Sequence, residues 1–162
     1  MSSTLLLSRR QLFAATAGVY ASGLAFAAPA SLPLALSLQD ELALALKKQQ
    51  PLVVMISLDG CPFCKIAREN YLGPLHEQQG LPIVQVDMRS TRILKNFSGA
   101  SLSHDDMRRA WGVKVAPTVL FFGQGGQEIA ARMVGGYIPD FYGAYLDERL
   151  LQARAAIKKL SS

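Results

Sequence analysis

The chain has 162 residues, half of them hydrophobic, and carries 17 lysines and arginines against 12 aspartates and glutamates, a formal charge of +5. That excess is mild and contains no Lys/Arg block interleaved with aromatics, which argues against a nucleic-acid binder. With two cysteines and two histidines, His76 and His104, too far apart for a short ligand pair, a zinc site is poorly supplied, and no sulfur is left over for structural disulfides.

Residues 1–27 have the form of a signal peptide. Arg9-Arg10 precede an apolar Ala/Gly-rich run, no acid occurs before Asp40, and Ala25-Phe26-Ala27 offers a small-x-small cleavage site ahead of Ala28. The run from Gln11 to Ala27 is shorter than the ~20 apolar residues a spanning helix needs and contains Gly18 and Gly23, so it reads as removable, not as an anchor. Ser8-Arg9-Arg10-Gln11-Leu12-Phe13 resembles the twin-arginine signal, departing from it in Leu before Phe and in lacking a following Lys. Leu5-Leu6-Leu7 is unusually apolar for a leading region, so the general secretory route stays open. Cleavage after Ala27 leaves 135 residues with 15 basic and 12 acidic side chains, enough for one domain with a real core. The expectation is a protein that is periplasmic or otherwise exported, and soluble once the signal is removed.

Residues 28–36 are a Pro- and Ala-rich linker, and the domain is expected over 37–160. Ser37-Leu38-Gln39-Asp40 reads as a helix start, with Leu38, Leu42, Ala45 and Leu46 on one face, Lys47-Lys48 at the negative end and Pro51 as a stop. Leu52 to Leu58 is apolar, β-branched and too short for an ordinary helix, so it reads as a buried strand.

Cys61-Pro62-Phe63-Cys64 follows at the junction of that strand and a helix read over Lys65 to Gln79. With Cys61 as N-cap, Pro62 falls at the first helical position, where its missing N–H costs little. The Cys61 sulfur then faces free backbone N–H groups and the positive helix end, which favours a thiolate and makes Cys61 the candidate nucleophile. Cys64, one turn in, is placed to attack a mixed disulfide on Cys61 and is the candidate resolving thiol. A structural staple is the alternative, but so short a loop restrains little chain entropy. Lys65 and Arg68 are either charge support for a thiolate or solvated helix residues, and Asp59 is either an acid or a turn cap.

Gly73-Pro74 should break or kink the helix before it ends at Gly80, and Pro82 to Asp87 is a second strand. Arg89 to Ala110 is the least regular part, a polar loop followed by a short helix that Ser103 caps and Gly112 ends. His104, in that capping turn, is expected to be exposed; His76 has the same unremarkable reading, and Trp111 is expected in the core. Val113 to Phe122 is a strand with Pro117 near its head, Gly123 to Gln127 a hairpin turn, and Glu128 to Val134 the return strand. Beyond Gly135-Gly136, Pro139 opens a long helix with Phe141, Tyr145, Leu146, Leu150, Ala153 and Ile157 on its buried face.

The order strand, C-x-x-C, kinked helix, strand, helix, Ala116-Pro117-Thr118, hairpin, Gly-Gly, helix resembles the thioredoxin superfamily over roughly residues 36–157. Within it the chain is most similar to the exported SoxW-type and Dsb-type proteins. The resemblance implies an α/β thioredoxin fold: a mixed β-sheet with helices on both faces and a helical insertion before the strand headed by a cis Pro117. It implies a protein thiol–disulfide oxidoreductase with Cys61 attacking and Cys64 resolving, and a substrate groove of Pro62, Phe63, Ala116 and Pro117. No metal and no cofactor beyond a redox-active Cys61–Cys64 disulfide are expected. The expected partners are client proteins with disulfides or thiols and an upstream, membrane-bound electron donor, the protein itself being a monomer. Reduction of client disulfides is the favoured activity; a disulfide-introducing oxidant and a binding module without redox turnover are the alternatives. Two positions depart from cytosolic thioredoxins: Met55 stands where they have a buried Asp, and Gly60 where they have Trp before the first cysteine.

Overall fold

The computed structural model describes residues 31–136 and 139–160, so the signal peptide expected over 1–27 lies outside the described residues. β1 (Leu52–Ser57) is buried along its whole length. Parallel β2 (Ile83–Asp87) pairs on one side of it and antiparallel β5 (Thr118–Phe122) on the other, and β6 (Met133–Val134) pairs with β5 to complete the order β2-β1-β5-β6. The side chains of β1 alternate between two cores: Val53 and Met55 enter one, Leu52, Val54 and Ile56 the other. A strand covered on both faces shows no polar alternation, which is why this stretch is continuously apolar.

The first core is closed by the helix that follows Cys61 and by α5 (Pro139–Leu160), through Cys64, Ala67, Leu72, Tyr142, Leu146, Leu150 and Ala153. The second is closed by α1 (Leu38–Lys47) and α4 (His104–Ala110), through Leu38, Leu42, Ala45 and Met107. Both of these helices start as the sequence suggests, with Ser37 Oγ accepting the Asp40 N–H at 3.3 Å and Ser103 Oγ accepting the Asp106 N–H at 3.0 Å. The sheet thus has helices on both faces, as expected.

The chain corrects the sequence reading in five places. The helix expected to break or kink at Gly73-Pro74 is distorted there but does not end: α2 (Pro62–Ile66) passes through a π-helical segment, Ala67–Leu72, into α3 (Gly73–Gln79). Pro74 cannot donate to the carbonyl one turn back and its ring would crowd it, and a widened turn relieves both without ending the helix. The insertion contains a hairpin besides its helix, β3 (Ile93–Lys95) against β4 (Ser101–Ser103), where only a loop was expected. Its tip is organised by one side chain, Asn96, whose Oδ1 accepts the N–H groups of Ser98 and Ala100, both at 2.9 Å.

His104 is not exposed: it is 1% accessible. Its Nδ1 accepts the Asp87 N–H at 3.0 Å and its Nε2 lies 3.0 Å from the Ala35 carbonyl, so the ring is neutral with the proton on Nε2, donating to Ala35. The return from β5 is shorter than Glu128 to Val134; Glu128 bridges Phe122, and pairing resumes only at Met133. Between them Arg132 turns away, pairing with Glu128 and donating to the Trp111 carbonyl at 2.9 Å. Finally, α5 buries Tyr142 in place of Phe141 and Tyr145, which stand 59% and 48% exposed. The phase is set by the ring of Tyr142, which packs on Tyr71 with centroids 4.8 Å apart.

Of the segment 28–36, residues 31–36 are described, and they lie along the outer edge of β2. The Gln85 N–H donates to the Pro33 carbonyl at 2.8 Å and the Ala35 N–H to the Gln85 carbonyl at 2.9 Å, with Ala35 wholly buried. A sheet edge that would otherwise expose unpaired backbone is covered in this way. Trp111 packs against the second core as expected, its ring 5.1 Å from Phe122, with Phe97 of the insertion 4.8 Å from the same Phe122.

Candidate functional site

Antiparallel pairing puts the end of β1 beside the start of β5, with Ile56 opposite Thr118. The loop leaving one and the loop entering the other therefore meet. In the first, the Leu58 carbonyl accepts the Cys61 N–H at 3.2 Å, Asp59 Oδ1 accepts the Gly60 N–H at 3.0 Å, and Gly60 has φ 71°. A left-handed residue in a tight turn favours glycine, a physical reason for Gly60 at this position. Asp59 takes its turn-capping role.

Cys61 is the N-cap of α2, with Pro62 in the first helical turn. Its Sγ accepts the Cys64 N–H at 3.2 Å, and its thiol faces the Ala116 carbonyl at 3.9 Å. Both thiols are free; Cys61 is half-buried, whereas Cys64 is 1% exposed and belongs to the first core. Burial is the main cause that pushes the Cys64 thiol up from 9.0 to about 11, hydrogen bonding with Cys61 adds to it, and the Leu58 backbone and Ser57 hydroxyl act the other way. Where a thioredoxin carboxylate would lie, Met55 is fully buried, so Cys64 has no acid partner from that strand position.

The Ala116–Pro117 bond is cis. The Pro117 carbonyl accepts the Gly135 N–H at 2.8 Å, tying the Gly-Gly loop to the head of β5. Gly136 lies so close that a Cβ there would stand 3.3 Å from both Phe63 Cβ and Pro117 Cγ, a position only a bare backbone fills easily. Phe63, Ile66 and Val115 are exposed by 48%, 38% and 47%, leaving an apolar surface around the dithiol. Pro62 is exposed, Ala116 half-buried and Pro117 buried; Phe63 and Pro117 both adjoin Gly136, and the Ala116 carbonyl faces Cys61.

On the other side of Cys61 opens a polar cleft of about 810 Å³, running from the turn Ser57–Pro62 to the loop after β2. Lys65, Arg68, Arg89 and Arg92 line it. Arg68 is held on the sheet, its Nη1 donating to Gln85 Oε1 at 3.1 Å while Gln85 Nε2 donates to Asp87 Oδ1 at 2.7 Å.

Sequence reasoning missed four residues here. Ser57 was visible as the one hydroxyl in an apolar strand. Tyr142, whose buried hydroxyl has no hydrogen-bond partner and whose ionisation is disfavoured first by burial and then by the charge of Cys64, was missed because Phe141 and Tyr145 were read as buried, although Leu146, Leu150, Ala153 and Ile157 are buried as expected. Arg89 and Arg92 sat in a stretch read only as loop. His76 is structural, its Nδ1 donating to the Leu81 carbonyl at 2.9 Å. Among the described residues no group of three or more His, Cys, Asp and Glu is placed to hold a metal, and no helix is long and apolar enough to cross a membrane.

A C-x-x-C at the N-terminus of a helix, opposite a cis proline at the head of the neighbouring strand, on a mixed sheet with helices on both faces, defines a thioredoxin-fold protein with a dithiol site. The chain belongs to the Thioredoxin-like domain family, which it matches over residues 38–149. Its structure is similar to that of mitochondrial thioredoxin 3 from Saccharomyces cerevisiae, with 18% identity and a TM-score of 0.50, covering 74% of this chain and 93% of that one. It is similar also to DsbH oxidoreductase, with 18% identity and a TM-score of 0.50 over 80% of this chain and 88% of that one. At these identities the likeness is one of fold. No curated protein sequence matches the chain.

Proposed function

We propose that the protein is an exported thiol–disulfide oxidoreductase that reduces protein disulfides, with Cys61 as nucleophile and Cys64 as resolving thiol. The observation that carries this reading is the asymmetry of the pair: a half-buried Cys61 sulfur that accepts a backbone N–H at the head of a helix, above a buried Cys64. Attack by Cys61 on a client disulfide forms a mixed disulfide and releases one client thiolate; attack by Cys64 on the Cys61 sulfur releases the second and leaves a Cys61–Cys64 disulfide. Capping Cys61 in the mixed disulfide removes the part of the Cys64 shift that comes from Cys61, which eases ionisation at the step that needs it. The client chain lies extended over Pro62, Phe63, Ala116 and Pro117, and a membrane-bound donor regenerates the dithiol of a monomeric protein.

The reducing direction is supported by the residue before the second cysteine. In strongly oxidising exported relatives a His lies between the cysteines, whereas Phe63 offers neither charge nor a strong donor to stabilise a thiolate. Equilibration against glutathione should therefore give a potential of ~−200 to −270 mV, and a value near ~−120 mV would make the protein an oxidant instead. Export rests on residues 1–27: the intact mass of the exported protein should correspond to a chain beginning at Ala28, and a full-length cytoplasmic form would refute it.

A further inference from the structure

Cys61 stands between two unlike surfaces. Toward Phe63 and Pro117 the surroundings are apolar. Toward the loop after β2 they are basic, and the same sulfur-bearing residue lines that cleft. Four cations, Lys65, Arg68, Arg89 and Arg92, face it against two acids, Asp59 and Asp87. Both acids are engaged: Asp59 caps the Gly60 N–H and Asp87 accepts from Gln85. Among the described residues, Lys65, Arg89 and Arg92 take part in no ion pair, although the neighbouring Arg108 and Arg109 both do, with Asp105.

The wall that carries two of these arginines is built, not loose. Arg89 has φ 63°, a backbone region that a residue with a side chain seldom occupies. It is held there from outside the cleft: Asp105 Oδ1 accepts the Arg89 N–H at 2.9 Å, and the Asp105 N–H donates to the Ser90 carbonyl at 3.1 Å. Asp105 is itself fixed by Arg108 at 2.8 Å, so the arginine that pins the anchor is turned away from the cleft. A backbone strained in this way costs energy, and the cations it presents are unpaired.

We propose that the cleft recognises a small disulfide bearing carboxylates, whose negative groups settle on Lys65, Arg89 and Arg92 while its sulfur reaches Cys61. The proposal rests on the oxidoreductase reading and names its substrate class. The volume favours a small molecule, since about 810 Å³ lies within the ~300–1,000 Å³ typical of sites that enclose one. A client chain has the apolar surface around Phe63 and Pro117. In the reaction the Cys61 thiolate attacks one sulfur of R–S–S–R, forming Cys61–S–S–R and expelling R–S⁻. Cys64 then displaces the second R–S⁻. Two electrons pass from the dithiol to the substrate disulfide, the two thiol protons end on the released thiols, and the Cys61–Cys64 disulfide remains.

The test compares reduction of oxidised glutathione, neutral 2-hydroxyethyl disulfide and cationic cystamine by the reduced full domain, at low and at high salt. The expected order is anionic, then neutral, then cationic, with the preference shrinking as salt rises. Arg92→Gln, and Arg89→Gln with Arg92→Gln, should lower the ratio of anionic to neutral rates by roughly three- to tenfold. Arg92→Gln alone leaves the strained Arg89 turn intact, so it reads charge without risk to the fold. Equal rates on all three disulfides, or a ratio untouched in the variants, overturn the cleft assignment and leave the oxidoreductase reading in place. Selectivity for a disulfide within an acidic peptide, with none for oxidised glutathione, also overturns it in favour of a protein ligand. Failure to reduce any disulfide overturns both.

Discussion

Cys64→Ala should arrest the protein on its substrates, accumulating mixed disulfides through Cys61, whereas Cys61→Ala should form none and lose disulfide reduction by on the order of a thousandfold. The two sulfurs differ in what they can reach. Cys61 is half-buried at a helix N-terminus and open to both the apolar groove and the basic cleft, while Cys64 is enclosed in the first core and can meet only a sulfur already bound to Cys61. Non-reducing gels of whole extracts, with mass spectrometry of the adducts, check the trapping. Equal and mild losses in both variants would instead fit a binding module.

The raised Cys64 thiol adds a pH signature. Because attack needs the thiolate, release of a bound client from wild-type protein should accelerate roughly tenfold per pH unit between about 7 and 9, levelling off below 11 because the contribution of Cys61 is gone in the mixed disulfide. Stability runs in the opposite sense. In the reduced protein the folded state keeps the Cys64 proton after the unfolded chain has lost it, so stability is full below 9.0 and falls as pH rises from 9.0 through about 11.

His104→Leu should be the most damaging change outside the dithiol. It leaves the Asp87 N–H and the carbonyl of the wholly buried Ala35 without their partner. At ~1–3 kcal/mol for each orphaned group, the loss is ~2–6 kcal/mol against a total stability of ~5–15 kcal/mol. A melting temperature lower by roughly 6 to 25 °C follows for a domain of this size. His104→Gln, which can keep one of the two bonds, should fall between. A leucine variant melting within a degree or two of the wild type would show that the two bonds do not hold the β2 end and the 31–36 segment together.

The dithiol and the proline were legible because each obeys a local rule: Pro62 after an N-cap cysteine, Pro117 at the head of an apolar strand. β1 was legible because burial on both faces left it no polar residue before Ser57. What escaped were features whose cause lies elsewhere in the chain. His104 follows a capping serine and looks solvent-facing until β2 and residue 35 close over it, partners 17 and 69 residues away. The β3–β4 hairpin has only three residues in each strand and fully buries only Leu94, too short a run for its alternation to stand out from a loop. Tyr142 is placed by Tyr71 across the interior, and neither ring announces the other. Arg89 and Arg92 acquire meaning only when the loop after β2 folds back beside Cys61.

The division of the interior by the sheet bears on how such a protein can change over generations. Leu38, Leu42, Ala45, Met107 and Val113 belong to a cluster that holds neither cysteine, and the segment between β2 and β5 packs there through Leu94, Phe97 and Trp111. Cys61 and Cys64 answer to the other cluster. Substitutions in Leu94, Phe97 and Trp111 are absorbed by the cluster on the face of the sheet away from the cysteines. The packing that holds the dithiol can therefore be inherited while the inserted segment varies.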